Sequence, residues 1–155
     1  MVEFPHAIVG AAIATAIPNP LISLPLAFAS HFVLDLVPHW NPHIYTEIKK
    51  HGKILPKTLI IIIVDSVFAL ITGFWITTRA LPDTTHAVTI LFGAFFAVIP
   101  DLAEIPYYFF QVKNKFFVRL VEFEHKLQTN TTFVPGILTQ VVVVAAAFWW
   151  VFGSK

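Results

Sequence analysis

The chain has 155 residues, 57% hydrophobic and only 12% charged, where soluble domains carry about a quarter charged residues, and its mean hydropathy is +0.76. A net charge of +1 provides none of the basic surface that nucleic acid requires as a partner. Cysteine is absent, which removes disulfides, thiolate-bound metal and cysteine nucleophiles, so any metal site must be built from His, Asp and Glu.

Residues 7–17 form an apolar run that reaches about 16 Å, half a bilayer. No Lys or Arg precedes it, so it is not expected to be a cleaved signal peptide. Pro18-Asn19-Pro20 breaks the run, and a second apolar segment over 21–37 stops before Pro38. The two suit a helical hairpin that does not fully cross. Residues 38–57 read as a polar loop, and 58–77 as a span interrupted by Asp65. A short connection over 79–86 leads to the apolar stretch 87–110, which contains Pro100-Asp101 and Pro106. Residues 111–130 are charged, and 132–152 form a final span without ionisable residues. The expectation is one all-α integral membrane domain, residues 1–155, with about five membrane-embedded helical segments.

Orientation follows from the basic residues. Lys49, Lys50, Lys53 and Lys57 lie in one loop and Lys113, Lys115, Arg119 and Lys126 in another, so eight of the ten Lys and Arg share one side; Arg79 and Lys155 lie opposite. That side is expected to be cytoplasmic, with the N-terminus on it.

Four acids fall inside apolar segments: Asp35, Asp65, Asp101 and Glu104. A charge at the bilayer centre costs roughly 2.5–3.5 kcal/mol on insertion scales, so the acids need partners. The same topology puts those acids and His6, His31, His39 and His125 toward one face, with His86 opposite. His31 and Asp35 are four apart and share a helix face, and Asp101 and Glu104 are three apart and share another. His39 extends the first face if the helix continues past Pro38. Imidazole and carboxylate ligands without thiolate suit zinc, manganese or iron. Blander readings compete: Asp65 as a buried acid bonded to Ser66, and His125, flanked by Glu122, Glu124 and Lys126, as part of an exposed helix face.

The string SHFVLDLVPHW resembles a motif of the zinc-dependent phospholipase C and single-strand nuclease superfamily, in which HxxxD, a Pro and a further His supply ligands to a zinc cluster. The matching positions are His31, Asp35, Pro38 and His39, with His39 closer than that motif places it. In architecture the chain is similar to the small membrane-bound metal-dependent hydrolases of the inner membrane. They have Pro/Thr-His near the N-terminus followed by small residues, here PHAIVGAAIA, and a Pro-Asp ending a helix, here Val98-Ile99-Pro100-Asp101. This resemblance implies a prokaryotic inner membrane as the location and His6, His31, Asp35 and Asp101 as metal ligands. Where a second His is expected after Pro-Asp, this chain has Glu104.

The leading expectation is a metal-dependent hydrolase acting on a lipid phosphoester or related bond at the cytoplasmic interface, with membrane lipids as partners. Its divalent metal, zinc foremost, is held by His6, His31, Asp35, His39, Asp65 and Asp101. Glu104 or His125 is the expected general base. Two other classes stay open: a cation- or proton-coupled transporter or channel, which places such residues in broken helices, and a structural membrane protein whose polar network joins helices.

Overall fold

The structure, a computed structural model, describes residues 1–153; Lys155, assigned to the outer side above, lies outside the described residues. The fold is all-helical: α1 (Glu3–Ala16), α2 (Pro20–Leu36), α3 (Ile44–His51), α4 (Pro56–Thr77), α5 (Thr84–Ala103), α6 (Ile105–Tyr108), α7 (Lys115–Leu127) and α8 (Phe133–Gly153).

Local chemistry sets the helix ends. Asn19 caps α2 by accepting from the Leu21 amide at 3.0 Å, and Pro20 sits at the first helical position, where no amide hydrogen is needed. Asp83 caps α5 through His86 N at 3.0 Å, and Asn114 caps α7 through Phe117 N at 3.0 Å. For α4, Pro56 occupies the first turn, and Glu47 reaches across from α3 to accept from Leu55 N at 2.9 Å and Thr58 Oγ1 at 2.7 Å. Two prolines bracket the α5–α6 junction, Pro100 before it and Pro106 just after, and the chain turns there through a short bond from Glu104 N to Asp101 O at 3.0 Å.

Of the five apolar segments, three have the length and composition to cross a membrane: Pro56–Ala80, Thr84–Tyr108 and Phe133–Gly153. At 17 residues α2 is shorter, although Leu21, Ile22, Val33 and Leu36 on it are exposed and apolar. The first helix has 14 residues and begins at Glu3, ahead of the apolar run that marks it in the sequence, because Asp65 accepts from Phe4 N at 3.1 Å and closes its first turn. The stretches 38–57 and 111–130, read above as loops, contain α3 and α7. Their apolar positions recur every three to four residues, a pattern obscured by the surrounding lysines and glutamates.

The first helix occupies the middle of the bundle, packed against α2, α4, α5 and α8, and no residue before Ala16 is exposed. Its closest neighbour is α5. Gly10 faces Gly93 so tightly that a Cβ on Gly93 would lie 2.6 Å from both Ala14 Cβ and the Gly10 carbonyl oxygen. Small residues permit such backbone approach, and here it sets His6, four residues before Gly10, beside the end of α5.

The chain after α2 is pinned to the segment between α7 and α8. Thr129 N donates to Asp35 O at 2.9 Å, His39 N to Thr129 O at 3.0 Å, and Thr131 N to His39 O at 2.9 Å. Gln140 on α8 donates to the Trp40 carbonyl at 2.8 Å, and Gly136 lies where a Cβ would collide with Trp40.

Candidate metal centre

Four helices deliver titratable side chains to one buried point: His6 from α1, His31 and Asp35 from α2, Asp101 from α5 and Glu124 from α7. They form two overlapping groups, His6–His31–Asp101 and His31–Asp35–Glu124, each with one ligand atom per residue within 4.8 Å of the others. His6, His31, Asp35 and Glu124 are buried, and Asp101 is 17% exposed.

The separations are longer than good hydrogen bonds. His6 Nε2 stands 3.3 Å from Asp35 Oδ1, and His31 Nε2 is 3.5 Å from Asp35 Oδ2, 3.8 Å from Asp101 Oδ1 and 3.9 Å from Glu124 Oε2. Two ligands about 2.1 Å from a tetrahedral ion stand about 3.4 Å apart, so these are distances suited to the edges of a coordination shell.

The tautomer of His31 sharpens this point. Its Nδ1 lies 2.8 Å from the Ala97 carbonyl, which only accepts, so the ring hydrogen is on Nδ1 and the Nε2 lone pair faces the carboxylates. His39 repeats the arrangement: Nδ1 donates to the Val37 carbonyl at 2.7 Å, and Nε2 faces Asp35 Oδ1 at 3.8 Å. Lone pairs facing carboxylate oxygens repel unless a cation or an added proton intervenes. The Met1 amine pairs with Asp35 Oδ1. His6 Nε2, His31 Nε2, His39 Nε2, Asp35 Oδ2 and both Glu124 oxygens remain buried without a hydrogen-bond partner among the described residues. Each such atom costs on the order of 1–3 kcal/mol, and a bound divalent cation satisfies several together. The His6 and His31 rings stack with centroids 4.0 Å apart.

Burial, and then the Asp101 and Asp35 carboxylates, push the Glu124 carboxyl up to about 7. Burial, reinforced by the Met1 amine, holds the His39 imidazole below its usual range, which favours the neutral ligand form.

Four of the sequence-derived ligands, His6, His31, Asp35 and Asp101, thus meet. His39 flanks them through Asp35. Asp65 stands outside the two groups and serves the first turn of α1. Glu104 is buried but also outside them, on the wall of a pocket of about 210 Å³ that it shares with Glu3, Asp65, Asp101, Tyr108 and His125. His125 is exposed and stacks on Tyr45 with ring centroids 4.1 Å apart. Its neighbour Glu124 is the residue turned inward. The sequence did hold a signal for Glu124: Phe117, Val121 and Glu124 follow helical spacing along the inward face of α7.

In comparisons with known proteins, no family model, no curated protein and no solved structure matches this chain.

Proposed function

We propose that the chain is an integral membrane protein that hydrolyses a phosphoester or related bond of a membrane lipid at a divalent metal centre. What carries this reading is the set of partnerless nitrogen and oxygen atoms that His6, His31, Asp35 and Glu124 turn toward one buried point, with Asp101 beside them. The similarity to small membrane-bound metal-dependent hydrolases supplies the reaction class. Zinc is the first choice for two or three imidazoles with carboxylates, and manganese or iron also suits them.

A divalent ion bound at this point would supply an activated water and polarise the scissile group. The chain's own residues do the rest. His6, His31 and Asp101 on one side and His31, Asp35 and Glu124 on the other would hold the ion, and the Ala97 carbonyl orients the His31 ring. Glu104 lines the adjoining pocket and is the candidate general base for an incoming water. We place this face on the cytoplasmic side of an inner membrane by the distribution of Lys and Arg, whose charges also attract anionic headgroups there.

Cation transport is the less favoured reading, because the core beyond the centre is apolar. Ala11, Ala14, Ile76, Ile90, Ala94 and Val151 pack there, and the buried hydroxyls of Ser23, Thr72 and Thr89 are scattered over three helices and include no ionisable group.

The test is elemental analysis of detergent-purified protein, wild type against the His31→Ala/Asp35→Ala double variant. Stoichiometric zinc, manganese or iron in the wild type, lost from a variant of unchanged helicity and elution volume, supports the centre and leads to a screen of lipid phosphoesters. Wild-type protein that holds no metal and takes up none overturns the reading.

A further inference from the structure

A second cavity, of about 470 Å³, lies between α4 and α5 along two of the long helices. That size is typical of sites that enclose an organic ligand. Small residues make its floor: Ala69, Gly73 and Ala94, all buried. Phe74, Phe92 and Phe95 form its outer edge and are exposed. Only two of its lining residues, Glu3 and Ser66, have polar side chains, and these two, with Leu102, also line the polar pocket beside the metal centre. The two cavities therefore adjoin across these three residues, one apolar and the other lined by Glu3, Asp65, Asp101 and Glu104. From Ser66 to Phe74 the apolar part rises about 12 Å along α4.

We propose that this groove seats one acyl chain of a bilayer lipid, so that the lipid enters sideways from the membrane with its headgroup in the polar pocket. The proposal rests on the hydrolase reading above and adds the path by which substrate arrives. The occupant follows from the gradient. A chain that is apolar over about 12 Å and ends in a polar group has the same order of chemistry as the groove. A helix of a second copy would have no use for the acidic end. The small floor matters because Gly73 and its neighbours make the surface concave where the other outward helix faces carry large side chains, such as Val141 and Val142 on α8.

The test is photolabelling of the whole protein in phosphatidylethanolamine and phosphatidylglycerol vesicles with a phosphatidylglycerol that carries a mid-chain diazirine. Labelled positions are read by peptide mass spectrometry, which needs no turnover. Labelling of Phe74, Phe92 and Phe95 is expected to exceed that of Val141 and Val142 by about tenfold and to collapse in Ala94→Phe. Leu70, on the lip of the groove, is 62% exposed. Leu70→Trp therefore tests the same closure should Ala94→Phe fold poorly.

Equal labelling of the two surfaces, groove labelling that survives Leu70→Trp, or crosslinks to a second copy across the groove would each overturn the proposal. Metal content, measured on the same samples, separates the two readings. Metal-loaded protein with no groove preference overturns the groove alone. Protein that holds no metal and takes up none, yet labels in the groove, supports the acyl seat and overturns the hydrolase.

Discussion

His31 Nε2 and Asp35 Oδ2 stand 3.5 Å apart, one turn apart on α2, while the opposite ring nitrogen of His31 donates to the Ala97 carbonyl of α5 at 2.8 Å. Both residues point into the bundle, and the ring cannot rotate without losing its bond to α5. Asp35 also faces His6 and His39, which makes it the residue common to most of the close pairs at the centre.

Asp35→Asn is therefore expected to weaken zinc binding by more than the ~10–100-fold typical of losing a group outside the ligand shell. The shape of the site is kept and one ligand charge is removed. Competition titration with a chromophoric chelator measures it, and an affinity within threefold of wild type would argue that no metal rests on Asp35.

Glu124→Gln provides a comparison within one helix. Glu124 is 1% exposed and turned toward His31, whereas Glu122, two residues earlier, is exposed. The Glu124 change is expected to lower metal affinity at least about tenfold, because a neutral amide is a poor ligand for a hard or borderline cation, and Glu122→Gln is expected to leave it unchanged. Equal behaviour of the two variants would remove Glu124 from the centre.

Asp65 separates a structural carboxylate from a ligand. It accepts from Phe4 N at the start of α1, so Asp65→Leu is expected to cost about 1 kcal/mol, in the range of a lost helix cap, read as a lower Tm in detergent. Metal stoichiometry is expected to persist in the milder Asp65→Asn, which keeps an acceptor oxygen. Loss of metal in Asp65→Asn would restore Asp65 to the ligand set.

The crossing of α1 and α5 tolerates no added bulk. Gly93→Val drives a side chain into Ala14 and the Gly10 carbonyl, and overpacking of this kind costs typically about 1–3 kcal/mol. Because His6 rides on α1 and Asp101 on α5, the same change is expected to spread these two ligands and reduce metal affinity together with Tm. A variant with lowered Tm but wild-type affinity would show that the centre is insulated from this crossing.

Much of the centre was legible in the sequence because ionisable residues are rare in apolar helices. His31 and Asp35 at helical spacing, and Asp101 after Pro100, stand out against Leu, Val and Phe. Glu124 did not, since α7 carries Lys115, Arg119, Glu122, His125 and Lys126 as well. Among so many charges, only the spacing from Phe117 and Val121 marks it as inward. Histidine is a frequent ligand, so His125 stands out in the sequence, but helix rotation places it outside. Asp65 was misleading for another reason: its partner is a backbone amide far away in sequence, which no local pattern reveals. The membrane-length helices were read with nearly their observed limits, whereas α3 and α7 were hidden because short amphipathic helices share their composition with loops.

The buried position of α1 also bears on how the protein is made. In the chain this segment precedes every helix that surrounds it, α2, α4, α5 and α8. With 14 residues it is too short to settle across a bilayer alone, and His6 and Glu3 oppose its insertion. Its packing is therefore complete only once α8 has been made, and the candidate centre that His6 joins is assembled equally late.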